Sequence, residues 1–296
     1  MGGSGEDASM SRVPAGRFVD LARRGRTFVR EHRGPDGAPT VVLLHGWTTT
    51  AAANWSPSFG PLAASFRVVA LDHRGHGRGL RSTAPFRLED CADDVAALLG
   101  ALEIDRCIAV GYSMGGPIAQ LLYRRHPGVV DGLVLCATSA TFHGTPRERV
   151  LAGMATGGSL VVGAPPMRPM LAAARVVLRG WQGTCHGGRG GAELLGHDWT
   201  RIVEAGREIC RFDSRPWLHE LAVPTAVVAT SADEIVPRHR QLALAAAIPN
   251  ASVRHVAGGH AVCTTDPRRF VPALVDACTE VATRAAAVGS GAVDAA

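Results

Sequence analysis

Five short runs of almost uninterrupted apolar residues constrain this chain most: Thr40–Gly46 (TVVLLHG), Phe66–Asp72 (FRVVALD), Arg106–Ser113 (RCIAVGYS), Val130–Thr138 (VDGLVLCAT) and Pro224–Asp233 (PTAVVATSAD). A weaker sixth is Ala251–Gly259 (ASVRHVAGG). A strand solvated on one face alternates apolar and polar residues, so runs without alternation read as strands buried on both faces. Stretches of helical character lie between and after them, at Arg87–Ile104, Gly115–Pro127, His239–Pro249 and Pro267–Ala287. Strand then helix, repeated, predicts an α/β fold, a mostly parallel central sheet with helices on both faces.

One interval breaks the rhythm. Residues 140–215 hold no strand-like run but do hold Trp181, Trp199, Met154, Met167 and Met170. Structureless connections of that length are rare in compact domains, so the interval reads as a helical cap inserted between two strands. Its GGRGG stretch, Gly187–Gly191, has neither a preceding strand nor a following lysine, and reads as a cap loop instead of a phosphate cradle. The resulting division is a disordered tail at 1–20, core at 21–139, cap at 140–215, core again at 216–285 and a second disordered tail at 286–296.

Composition removes several classes of function. The net charge is +5, but all 31 basic residues are arginine, spread along the chain beside 26 acids, so no basic stripe suited to nucleic acid forms. Without lysine, neither Schiff-base chemistry nor a phosphate-binding P-loop is available. The seven cysteines (Cys91, Cys107, Cys136, Cys185, Cys210, Cys263, Cys278) contain no C-x-x-C pair, and no cofactor or metal is expected. The first 20 residues lack an apolar segment and no apolar run reaches membrane-spanning length, which predicts a soluble, cytoplasmic protein with no stable membrane insertion.

The stretch VGYSMGG, Val110–Gly116, places Ser113 between glycines two residues before and two after. A composition this rich in glycine would produce about 0.2 such matches by chance, so the surroundings decide. Ser113 follows the apolar run CIAV and precedes a helix, the sharp strand-to-helix turn that exposes a nucleophile beside free backbone N–H groups. A serine hydroxyl needs an imidazole base, itself oriented by a carboxylate. His260 closes AGGH after the last strand and Asp233 ends the preceding one, so all three candidates stand at carboxyl ends of strands. In LLHGW, Gly46 permits a turn that presents the Trp47 N–H toward Ser113, where with the Met114 N–H it would form an oxyanion hole. His45 reads as a structural hydrogen-bonder.

With these residues in hand, the chain resembles the α/β-hydrolase superfamily over roughly residues 25 to 285, through LLHGW, LDHRGHGRG (Leu71–Gly79), GYSMGG, SADEIVP and AGGH in order. It looks closest to the capped, esterase- or lipase-like hydrolases of actinobacteria. The resemblance implies that Asp72, His73 and His76 belong to a loop that braces the site. It also disfavours three sister activities: epoxide hydrolases and haloalkane dehalogenases use an aspartate where this chain has Ser113, and hydroxynitrile lyases of the fold use a lysine.

The expected function is hydrolysis of small or medium, fairly apolar carboxylic esters through an acyl-serine. Ser113 is the nucleophile, His260 the base and Asp233 its orienter. Cofactor-free perhydrolases and carbon–carbon bond hydrolases share the Ser–Asp–His set and remain open, as does a non-enzymatic ligand receptor on the same fold. Substrate contacts are expected from Trp47, Tyr112, Phe142, Met167, Met170, Trp181 and Trp199, with the cap choosing the substrate. The expected partner is a small-molecule ester; whether the chain is a monomer or homodimer is left open.

Overall fold

The computed structural model describes residues 13–142 and 196–293, with side chains through residue 288. All six expected strands form: β3 (Thr40–Leu44), β4 (Arg67–Leu71), β5 (Cys107–Tyr112), β6 (Val130–Cys136), β7 (Thr225–Thr230) and β8 (Ser252–Val256). They are joined by a hairpin the sequence reading missed, β1 (Gly16–Leu21) and β2 (Gly25–His32). The sheet order is β1-β2-β4-β3-β5-β6-β7-β8. Only β2 runs against the others, pairing antiparallel with both β1 and β4.

The hairpin escaped notice because its sequence, GRFVDLARRGRTFVREH, is broken by arginines. Two of those arginines lie over the hairpin's own rings, the Arg26 guanidinium 4.2 Å from Phe18 and that of Arg30 5.2 Å from Phe28, and Arg78, from the loop after β4, lies 3.4 Å from Phe28. Because β1 begins at Gly16, the expected tail at 1–20 is corrected at its end; residues 1–12 lie outside the described part. The second expected tail is corrected too, since the last helix runs through Val293.

Alternating strand residues feed two cores. Val42 and Leu44 of β3 and Val69 and Leu71 of β4 point to one face, while Val41, Leu43, Val68 and Ala70 point to the other. The first face is covered by α3 (Leu88–Ala101), α4 (Gly115–Arg125), α5 (Trp199–Arg211) and α6 (Arg238–Ala247). The second carries α1 (Ala51–Trp55), α2 (Phe59–Ala63), α7 (Val262–Thr265) and α8 (Pro267–Val293). Burial on both sides is why these strands could be read as continuous apolar runs.

Most of the expected cap, residues 143–195, lies outside the described part. Its two described ends are held together: Ser214 N–H donates to Ala140 O at 2.9 Å, and Thr141 bridges Asp213. Residues 140–141 and 213–214, at the two ends of the expected cap, are therefore neighbours in the fold. The returning end forms α5, whose N-terminus is capped by the Asp198 carboxylate accepting from Thr200 N and Arg201 N. Among the described residues no helix is long and apolar enough to cross a membrane.

Candidate active site

Ser113 occupies the turn between β5, which ends at Tyr112, and α4, which begins at Gly115. Its φ is 52°, in the left-handed region that costs a non-glycine residue about 1–2 kcal/mol. Three hydrogen bonds hold it there. Ser113 N–H donates to Cys136 O at 3.0 Å, while Ser113 O accepts from Thr138 Oγ1 at 2.8 Å and Gly116 N at 2.9 Å. The turn closes tightly: a Cβ on Gly115 would stand 2.1 Å from Leu44 O, and one on Gly111 2.3 Å from Gly115 O. Only glycine fits at either position, which is the physical content of the G-x-S-x-G spacing.

The loop after β8 brings His260 over this turn. His260 Nε2 lies 2.9 Å from Ser113 Oγ, and His260 Nδ1 lies 2.8 Å from Asp233 Oδ2. An ionised carboxylate only accepts, so Nδ1 carries the proton and Nε2 is left as an acceptor for the serine hydroxyl. Asp233 sits three residues beyond the end of β7, a small correction to the expectation that it ends the strand. Its side chain is fully buried. Oδ1 accepts from Ile235 N at 2.9 Å and Val236 N at 2.8 Å, and Oδ2 from Thr230 Oγ1 at 2.8 Å. Sequence reasoning missed Thr230 and its partner Gln241, whose Nε2 donates to Thr230 Oγ1 at 2.7 Å and Val236 O at 2.7 Å. The local signal was weak: a threonine at a strand end and a buried glutamine on α6.

The turn after β3 packs against the serine, with the Cβ position of Gly46 only 3.4 Å from Ser113 Cβ. Gly46 N–H donates to the Asn54 side chain at 2.9 Å. This contact fixes the turn that leads into Trp47, and at the start of α4 Met114 precedes N–H groups that have no acceptor within the helix. The Trp47 ring is tied elsewhere, its Nε1 donating to Ile202 O on α5 at 2.8 Å.

Near that turn four imidazoles cluster, their rings tilted or edge-on to one another. Ring centroids of His45 and His73 are 4.4 Å apart, of His45 and His76 5.2 Å, and of His76 and His197 5.6 Å. Burial pushes the pKa of His45 down to about 3 and of His197 to about 4, and drives those of His73 and His76 well below the ordinary histidine value. All four are neutral at pH 7. His45 accepts from His73 N at 2.9 Å through Nε2 and donates to Gly46 O at 2.7 Å through Nδ1. Asp72 braces the same loop, its two oxygens accepting from Ala51 N and Arg78 N at 2.9 Å each. His45, Asp72, His73 and His76 thus shape the loops under the site, as expected.

Other site expectations fared differently. Tyr112 is buried, and its hydroxyl donates to His260 O at 2.6 Å. It supports the His260 loop and leaves no face for a substrate. Phe142 joins the main core with Ala140, Phe212 and Trp217, which corrects its placement among the substrate contacts. Trp199 opens α5, its ring 5.8 Å from that of His197. Met167, Met170 and Trp181 lie outside the described residues. Among the described residues no three His, Cys, Asp or Glu side chains are placed to hold a metal ion.

Comparison with known proteins agrees with this fold. Residues 39–164 match the model of the alpha/beta hydrolase fold family. A relative in Serratia proteamaculans (strain 568), named "Putative carbamate hydrolase RutD", is 32% identical over 79% of this chain and 88% of its own length. The crystal structure of a hydrolase from Pseudomonas aeruginosa PA01 superposes with a TM-score of 0.72 at 24% identity, covering 88% of this chain and 97% of that one. The enol-lactonase from Burkholderia xenovorans LB400 does so with a TM-score of 0.69 at 24% identity, over 89% and 100% of the two chains. The chain belongs to the α/β-hydrolase family, and it is a hydrolase.

Proposed function

We propose that this hydrolase cleaves carboxylic esters of small or medium, fairly apolar substrates through an acyl-serine intermediate. The observation that supports the reading best is the hydrogen-bonded line Ser113 Oγ to His260 Nε2 (2.9 Å) and His260 Nδ1 to Asp233 Oδ2 (2.8 Å). As Ser113 Oγ attacks the ester carbonyl carbon, His260 Nε2 takes the hydroxyl proton. The carbonyl oxygen becomes an oxyanion facing the Trp47 and Met114 N–H groups, donors worth about 3 kcal/mol each in such sites. Collapse of the tetrahedral adduct expels the alcohol, which receives the proton from His260. Water then repeats the sequence against the acyl-serine. Asp233 stays ionised throughout and stabilises the transient imidazolium.

The test is a chain-length series of p-nitrophenyl esters on wild type and Ser113→Ala. Intact-mass detection of a fluorophosphonate adduct on Ser113 accompanies it. Each methylene that a substrate buries should raise kcat/KM about fourfold until the pocket is full. No turnover of any ester and no adduct on folded wild-type protein would remove the reading.

The name of the relative in Serratia proteamaculans favours a second reading, hydrolysis of a carbamate by the same residues. A carbamate carbonyl is deactivated by its nitrogen, so the two readings separate by rate. If carbamates are the substrates, an aryl carbamate should be turned over at least as fast as the matching ester, without leaving a long-lived carbamoyl-Ser113 adduct.

A further inference from the structure

A buried polar chain connects the two loops on which the proposed chemistry depends. Asn54 lies on α1 and is 4% exposed. Its side chain can take only one orientation. Gly46 N–H is a donor, so the atom 2.9 Å from it is Oδ1, and Nδ2 points the other way, 3.7 Å from Cys263 Sγ. Cys263 is on α7, three residues after His260. The thiol also meets the Tyr112 hydroxyl, which donates to His260 O at 2.6 Å. One side chain thus links the turn carrying Trp47 to the short helix that follows His260.

Several contacts fix α1, so that Asn54 has a firm base. Thr50 Oγ1 accepts from Ala53 N at 3.2 Å and Asp72 Oδ1 from Ala51 N at 2.9 Å. Trp55 packs edge-on against Tyr112 with centroids 5.9 Å apart. Gly46 has no side chain with which to anchor its turn, and its φ and ψ decide where the next N–H, that of Trp47, points. The turn is therefore held from two sides: His45 Nδ1 holds Gly46 O, in the peptide unit that carries the Trp47 N–H, and the Asn54 acceptor holds Gly46 N–H one unit earlier.

We propose that Asn54 is a positioning residue: it sets the Gly46–Trp47 turn at the distance from Ser113 that the oxyanion requires, and registers that turn to the His260 loop through Cys263. This rests on the acyl-serine reading. A donor misplaced by about 1 Å costs up to about a hundredfold in rate, while ground-state binding, made elsewhere, changes little. Asn54 acts through the turn and touches no reacting atom.

The experiment compares Asn54→Leu, which removes the acceptor at similar volume, Asn54→Asp, which restores an acceptor for Gly46 N–H, and Cys263→Ala, which cuts only the far link. The readouts are kcat and KM on p-nitrophenyl butyrate, the rate of fluorophosphonate labelling of Ser113, and urea denaturation. Asn54→Leu should lose about tenfold to a hundredfold in kcat and in labelling rate with KM within about threefold. Asn54→Asp should recover most of that loss, and Cys263→Ala should label several-fold more slowly than wild type. Equal losses in Asn54→Leu and Asn54→Asp would show a merely structural role and overturn the proposal, as would wild-type labelling by a folded Asn54→Leu. If Asn54→Leu does not fold, Cys263→Ala decides, and wild-type labelling by that variant overturns it. Failure of wild-type protein itself to label would instead strike the acyl-serine reading.

Discussion

The indole N–H of Trp47 donates to the carbonyl oxygen of Ile202 at 2.8 Å, joining the turn beside Ser113 to a helix 155 residues further along the chain. Helix α5 comes close enough because position 206 is glycine: a Cβ there would stand 2.7 Å from Trp47 Cζ2. The end of the long insertion between β6 and β7 is thereby coupled to the turn that would supply an oxyanion donor.

Gly206→Val should push the Trp47 ring off α5. Overpacking of this kind destabilises by about 1–3 kcal/mol. The variant should show a shifted tryptophan emission and a kcat/KM about tenfold lower on p-nitrophenyl esters, a part of the roughly hundredfold or more that complete loss of one donor costs. Wild-type kcat/KM in a folded Gly206→Val would show that the helix and the turn are independent.

Ser113 is held at a φ of 52°, which a glycine adopts freely. Ser113→Gly should abolish fluorophosphonate labelling yet unfold at a urea concentration no lower than wild type, because relief of about 1 kcal/mol of backbone strain offsets the lost hydrogen bond to His260. A midpoint well below wild type would mean the turn is not strained.

Asp233 combines two jobs. Asp233→Asn should lower kcat by about a thousandfold to ten-thousandfold, since an amide no longer enforces the Nδ1–H tautomer of His260. Two backbone N–H groups, one hydroxyl and the His260 ring bond to its buried carboxylate, so this variant should also be less stable than Ser113→Ala in urea. Equal stability of the two would contradict the structural part of its role.

The clustered histidines predict the acid limit of the fold. Their folded pKa values lie below the unfolded value of 6.5, at about 3 for His45 and about 4 for His197. The unfolded chain therefore binds more protons, and stability falls as pH drops from about 6.5 toward 3. Unfolding near pH 5 should take up several protons. Neither ring nitrogen of His73 has a hydrogen-bond partner among the described residues, so His73→Phe removes one titrating group without orphaning a neighbour's side chain. It should move the acid midpoint to lower pH while leaving stability at pH 8 nearly unchanged. A midpoint that does not move would show that the cluster does not govern acid unfolding.

By itself the sequence determined whatever depends on neighbours along the chain. A strand buried on both faces needs an unbroken apolar run, so β3 through β7 were legible and the part-exposed β8 less so, and a strand-to-helix turn too tight for Cβ atoms needs Gly111 and Gly115 around Ser113. Chain order then sufficed to single out Asp233 and His260. The hairpin β1–β2 stayed hidden because arginines interrupt its apolar residues: Val19, Leu21 and Val29 join the core, while Phe18 and Phe28 lie under Arg26 and Arg78. Only the tertiary structure decided that Tyr112 supports the His260 loop, that Phe142 is core, that Thr230 and Gln241 brace Asp233, and that Asn54 holds Gly46. Tyr112 and Asn54 meet partners on other elements, and a hydrogen bond or a packed ring constrains the two positions it joins without leaving any local pattern in the residues around either one.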